Sequence, residues 1–215
     1  MQETLKSLKT RRSTSVRNMV DPAPSAEELK TILKIGARVP DHGKLTPWYF
    51  VTFKGKARED LKPLLRQSYK IEDPNATEAK LDLESERFMR APLIVGVISR
   101  IRMGKHPMWE QTLSAGAVCM NICHAANALG YGSNWLTEWY SFNDNFKKGL
   151  GLDERDNVAG FIYIGTPTCA NEERDRPYLS KIVNSWSPDI ELQKGDSTYD
   201  KSQFGLPKKG LKLPD

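Results

Sequence analysis

The run Trp109-Glu-Gln-Thr-Leu-Ser-Ala-Gly-Ala-Val-Cys-Met-Asn-Ile-Cys-His-Ala-Ala-Asn-Ala-Leu129 decides the fold. It is the longest stretch with helical patterning, and from Ala115 to Leu129 it is almost entirely small or apolar. A helix that is apolar on all sides belongs at the centre of a core or in an oligomer interface. Gly130-Tyr131-Gly132 follows with the glycine chemistry that ends a helix. Cys119 and Cys123 stand one turn apart with His124 beside them. That spacing holds a metal only if further ligands arrive from elsewhere. With three His in the chain and no C-x-x-C, the reading is a buried face of small, soft side chains, and no metal site is expected.

Working outward, Ala91–Ser99 and Val158–Gly165 are continuous apolar runs of the kind that form buried strands. Tyr49–Phe53 and Ser133–Thr137 are strand-like as well. Helical patterning covers residues 2–10, 57–69, Asn143–Gly149 and part of the highly charged segment 71–90. A further helix begins at Ser25, where Glu28 completes a capping box. About four strands separated by long crossovers and one long central helix predict an α+β layered domain. No strand is followed directly by G-x-G-x-x-G, so a dinucleotide-binding Rossmann fold is excluded. Residues 1–168 are expected to form the domain. Residues 169–215 read as a C-terminal arm that wraps the body or a partner subunit, because a structureless arm of that length does not stabilise itself.

The chain has 215 residues, 39% hydrophobic and 27% charged, with a net charge of +5. No run of five like charges occurs, so nucleic acid is not an expected partner. Three cysteines do not make a secreted disulfide framework. The N-terminal residues hold no apolar signal core, and the longest clean apolar run, Leu93–Ile98, is too short to span a membrane. A cytoplasmic protein with no membrane partner is expected.

Four segments carry candidate binding chemistry. Arg11-Arg12-Ser13 offers two guanidiniums and a hydroxyl after a helix, a set suited to phosphate. Arg38-Val-Pro-Asp-His-Gly-Lys-Leu-Thr-Pro-Trp48 is a loop shaped by Pro and Gly, with Arg38, His42 and Lys44 as donors to something anionic or planar. Asn134-Trp135-Leu136-Thr137 can meet a planar heterocycle. Gly165-Thr-Pro followed by Arg174-Asp-Arg176-Pro177 can close on an anion. None of them supplies a nucleophile–base pair, and no catalytic side chain is assigned. Glu110 is expected to serve the N-terminus of the long helix electrostatically. Clamps without acid–base equipment indicate that a cofactor carries the chemistry.

Arg-Arg-Ser after a short helix, Pro-Asp-His-x-x-x-x-Pro-Trp about thirty residues on, and the Gly-Phe-Ile-Tyr-Ile-Gly-Thr-Pro strand together resemble the FMN-dependent nitroreductase family, in its compact branch with the Pro-Asp-His loop. Ala91-Pro-Leu, Trp109-Glu110-Gln111, Ser114-Ala115-Gly116 and Gly130-Tyr-Gly132 fit that branch, so the resemblance spans roughly residues 3 to 168. It implies a layered α+β fold with a central mixed or antiparallel sheet flanked by helices, in an intertwined homodimer with two FMN sites at its interface. It implies that Arg11, Arg12 and Ser13 hold the phosphate and ribityl end. Arg38 and His42 would contact the flavin, one of them from the partner subunit. Lys44, where many relatives have Asn, would make a changed polar contact. Trp135, Leu136 and Thr137 would line the ring, and Arg174 and Arg176 are candidates for the phosphate. The activity implied is that of an NAD(P)H-dependent FMN oxidoreductase. Hydride would come from NADH or NADPH as co-substrate, and electrons would pass to a nitroaromatic, quinone or similar small acceptor in a ping-pong cycle. The alternative is a flavin-binding or flavin-remodelling protein without NAD(P)H turnover.

Overall fold

The structure, a computed structural model, describes residues 2–173, 176 and 178–192. It divides into two compact units, one ending at Asn171 and one starting at Glu172.

The first unit is built on five antiparallel strands: β1 (Met19–Val20), β2 (Trp48–Lys54), β3 (Leu93–Arg100), β4 (Gly132–Leu136) and β5 (Asp156–Pro167). The sheet runs β1-β5-β3-β2, with β4 also paired to β5, so its pairings are antiparallel rather than mixed. β5 is the organising strand, holding Leu93 of β3 opposite Ile164 and Trp135 of β4 opposite Ile162.

Strand alternation sends successive side chains to opposite faces. Leu93, Val95 and Val97 of β3, with Ile162 and Ile164 of β5, point to one face. There they meet α2 (Ala26–Gly36) and α6 (Met108–Ala128) through Ile32, Val118 and Ile122. Ile94 and Ile98, with Phe161 and Tyr163, point to the other face, into an aromatic core around Phe88. Phe88 makes edge contacts with Phe53, Tyr140 and Phe161, with ring centroids at 5.1, 5.3 and 5.1 Å. Each such pair adds about 0.5–1.5 kcal/mol to the burial of its rings.

Local chemistry sets the element ends. Ser25 caps α2 as expected: Glu28 N donates to Ser25 Oγ at 3.2 Å, and Ser25 N donates to Glu28 Oε2 at 2.8 Å. Gly36 lets α2 cross α6 closely, since a Cβ there would lie 2.7 Å from Ile122. The single helix expected over 57–69 is two, α3 (Lys56–Asp60) and α4 (Lys62–Glu72). Pro63 has no N–H to continue the ladder, so the helix restarts around it. The charged segment folds as α5 (Glu78–Ser85) and a 3-10 turn, and α7 (Asp144–Gly149) is capped by Asn143. α1 (Gln2–Thr10) opens the chain.

Among its described residues the second unit carries the short helix α8 (Leu179–Ile182), in a stretch with little helical pattern in its sequence. Its described residues Tyr178, Leu179, Ile182, Val183 and Trp186 are exposed. Among the described residues no helix is long and apolar enough to cross a membrane.

Candidate functional site

α6 is the axis on which the candidate residues are arranged. Side-chain hydrogen bonds hold the Arg38–Trp48 loop along it. His42 Nδ1 lies 2.6 Å from Glu110 Oε2, Ser114 Oγ donates to the Pro40 carbonyl at 2.7 Å, and Asn121 Nδ2 donates to the Arg38 carbonyl at 2.9 Å. Glu110, Ser114 and Asn121 share one helix face. Glu110, expected only to favour the helix N-terminus, is therefore also the partner of His42. The loop is braced internally by Asp41, whose two carboxylate oxygens accept from Leu45 N and Thr46 N at 3.1 and 2.8 Å. Lys44 is exposed and adopts φ +55°, and Thr46 adopts φ +46°.

Arg11, Arg12 and Ser13 lie at the other end of α6. They leave α1 and run into Thr14, a residue the sequence did not single out. Thr14 is fully buried. Its N–H donates to the Ser133 carbonyl at 3.0 Å, and its carbonyl and hydroxyl accept from Asn134 Nδ2 and Asn171 Nδ2 at 2.8 and 2.9 Å. Thr14 thus joins the arginine segment to β4. Nothing in the sequence marks it, because its value lies in three partners far along the chain.

A cleft of about 310 Å³ opens beside this junction, lined by Thr10, Arg11, Arg12, Asn127, Tyr131 and Asn171 among others. The α6 terminus forms one wall. Gly130, at φ +88°, lets Tyr131 N donate back to the Ala126 carbonyl at 2.9 Å. Tyr131 Oη then donates to Glu28 Oε2 at 2.9 Å, fixing the wall to α2. Arg11 is half-buried at the cleft, and among the described residues no carboxylate lies within 4 Å of its guanidinium. Its charge reaches α6: burial lowers the pKa of His124, and the nearby Arg11 charge lowers it further.

β4 carries Trp135 and Leu136 from this junction, and Thr137 follows. The Trp135 ring is part-exposed, donates through Nε1 to the Ala159 carbonyl at 3.0 Å, and sits beside Gly116 of α6. Gly160 makes room for it, since a Cβ there would stand 2.0 Å from Trp135 Nε1. Glu138, next in the chain, is gripped by Arg90 in a two-pronged bond of 2.9 and 2.7 Å. Trp139 Nε1 donates to Glu84 Oε2 at 2.7 Å. The Trp135–Thr137 segment is therefore held rigidly on both flanks.

One chain brings Arg11–Ser13 and Trp135 together but leaves the Arg38–Trp48 loop apart from them. Ser114, under the loop, and Gly116, under Trp135, are about 200° apart around the helix. Glu110 and Asn127 are about 25 Å apart along it. Arg176 is exposed and pairs with Glu173 at 2.8 Å. Arg174 lies outside the described residues.

Burial pushes the thiols of Cys119 and Cys123 up, which keeps both protonated. Among the described residues no group of three or more His, Cys, Asp or Glu is set to hold a metal.

The antiparallel sheet, the cationic cleft at the end of a buried central helix and the braced Pro-Asp-His loop make up the candidate site on a layered α+β fold. The profile described as Nitroreductase family matches residues 8–166. YdjA of Escherichia coli (strain K12), a provisionally named NAD(P)H nitroreductase, is 34% identical over 166 residues, covering 77% of this chain and 88% of that one. A similarly named protein of Haemophilus influenzae is 33% identical over 168 residues, covering 74% and 85%. Among solved structures, a nitroreductase-like family protein from Bacillus cereus superposes with a TM-score of 0.74 at 24% identity, covering 85% of this chain and 95% of that one. A nitroreductase with bound FMN from Bacteroides fragilis superposes with a TM-score of 0.65 at 19% identity, covering 87% and 100%; these two likenesses concern the fold. The chain belongs to the nitroreductase family.

Proposed function

We propose that this chain is one subunit of a homodimeric, FMN-dependent oxidoreductase that takes hydride from NADH or NADPH and passes electrons to nitroaromatic, quinone or similar small acceptors. The observation that carries the reading is Arg11, a half-buried cation without a carboxylate partner among the described residues, in an open polar cleft. Such a cation favours a bound anion, and a phosphate dianion suits adjacent guanidiniums. Arg11, Arg12 and Ser13 would hold the phosphate and ribityl end, with Trp135, Leu136 and Thr137 along the ring. When bound, FMN supplies the two-electron chemistry that no side chain here provides. The protein binds and orients the flavin, and solvent supplies the protons that the acceptor takes up.

The outer face of α6 supports the dimer. Trp109 and Leu113 are 62% and 53% exposed, and Gly116, Ala117, Met120 and His124 continue the stripe half-buried. The Arg38–Trp48 loop borders this stripe on one side, and Trp135 with Arg11 borders it on the other. Two α6 helices packed antiparallel about a two-fold axis cover both stripes. The same packing carries the loop of each subunit, with Arg38, His42 and Lys44, towards the Arg11–Trp135 cleft of its partner. A cleft of about 310 Å³ is at the small end for a ligand of FMN's size, which suits a site completed by a second chain. The division into a domain of residues 1–168 and an arm of 169–215 is part of this proposal, as is a cytoplasmic setting for a chain with three free cysteines.

The test is the flavin content of purified protein after incubation with FMN and gel filtration. Wild type retains about one FMN per subunit, as expected for one site per chain. Arg11→Ala keeps its fold and loses flavin affinity by about tenfold or more, the scale of a charge-assisted contact. Full FMN retention by Arg11→Ala removes the phosphate assignment.

A further inference from the structure

The Arg38–Trp48 loop holds residues at positive φ at three places: Gly43 (+76°), Lys44 (+55°) and Thr46 (+46°). Glycine is required at the first, because a Cβ on Gly43 would stand 2.3 Å from His106 Nε2. At the second, Gly or Asn would adopt the backbone with less strain than Lys. The loop nonetheless keeps a long cationic side chain there, exposed.

The surroundings leave that cation uncompensated. Both oxygens of Asp41 are taken by backbone N–H groups, and Glu110 is paired with His42. Among the described residues no carboxylate lies within 4 Å of Lys44 Nζ. A second cation is brought to the same loop by a buried device. The amide of Gln111, 3% exposed, accepts from Arg102 N at 2.8 Å and donates to Arg102 O at 3.0 Å. From that anchor Arg102 Nη2 reaches the Thr46 carbonyl at 3.5 Å, and it too has no carboxylate partner among the described residues.

We propose that Lys44, with Arg102 at the same loop, recognises an anionic group (carboxylate, sulfonate or phosphate) on one of the two molecules that enter the flavin slot in turn. This rests on the flavin reading above for the slot's location, and it deepens that reading by naming a substrate class. The anion can belong to the acceptor or to the 2′-phosphate that distinguishes NADPH from NADH. The preference weakens with ionic strength, as an exposed charge contact does.

The experiment compares dissociation constants by calorimetry on FMN-treated protein of measured flavin content. One arm pairs 4-nitrobenzoate with neutral 4-nitrobenzamide, and the other pairs NADP⁺ with NAD⁺. The variants are Lys44→Asn, which tolerates the backbone, and Lys44→Arg, which restores the charge. Wild type prefers the more anionic ligand by about fivefold to tenfold in at least one arm. Lys44→Asn abolishes that preference and Lys44→Arg keeps it, and the arm that responds identifies the source of the anion. Absence of preference in both arms, or preference unchanged in Lys44→Asn, overturns the proposal. Flavin content is read separately, so protein that binds FMN without charge preference defeats this inference alone. Protein that takes up no FMN defeats the flavin reading.

Discussion

Trp48 Nε1 donates to Ser114 Oγ across 3.1 Å, and the same hydroxyl donates to the Pro40 carbonyl. One buried oxygen thereby ties both ends of the Pro-Asp-His loop to the central helix. Ser114→Ala leaves an indole N–H and a carbonyl without their partner. It is expected to destabilise the protein by about 1–3 kcal/mol, measured as a lowered urea midpoint at unchanged m-value. An unchanged midpoint means that the loop does not depend on this anchor.

Acid sensitivity is expected from Glu84, whose side chain is 1% exposed. Burial raises its pKa, but hydrogen bonds from Arg87, Lys80 and Trp139 outweigh that and bring it from 4.5 down to about 2. A carboxyl with a depressed folded-state pKa stabilises the protein above its unfolded value, and that stabilisation is lost as pH falls through the folded value. Stability should therefore decline between about pH 4.5 and about pH 2. In Glu84→Gln the pH slope in this window should flatten while stability at neutral pH drops. An equal slope in wild type and variant excludes Glu84 as its source.

The α6 stripe makes a separate prediction. Leu113→Glu places a carboxylate in the middle of the proposed interface, where it would be buried without a partner. The dimer dissociation constant should rise by about a hundredfold or more, seen by light scattering after gel filtration. The proposed flavin site is shared between subunits, so flavin retention should fall with it. A monomer that keeps its flavin would show that the site is complete in one chain.

Much of the fold was legible because it rests on periodicity. The β3 and β5 runs, the capping box at Ser25 and the apolar α6 all carry signals that span several residues. β1 was missed because two residues, Met19 and Val20, have no period; their strand exists only because β5 runs on to Pro167. The break between α3 and α4 was announced by Pro63 but outweighed by the leucine spacing around it. In the candidate site the donors were legible as residue types, while their supports were not. Thr14, Gln111, Glu138 and the His42–Glu110 pairing act through partners 9 to 157 positions away, and only the folded chain brings these together. The resemblance implies that one of Arg38 and His42 comes from the partner subunit, but the residues alone do not show that the loop and the cleft lie on different sides of α6, since that depends on helix phase.

The central claim is that this fold holds a flavin which reduced nicotinamide nucleotides can reduce. Its most direct test is an anaerobic titration of FMN-loaded protein with NADH and, separately, with NADPH, followed through the visible flavin absorbance. The account predicts that at least one nucleotide bleaches the flavin and that a nitroaromatic or quinone then restores the colour. Flavin that stays oxidised with both nucleotides would contradict it.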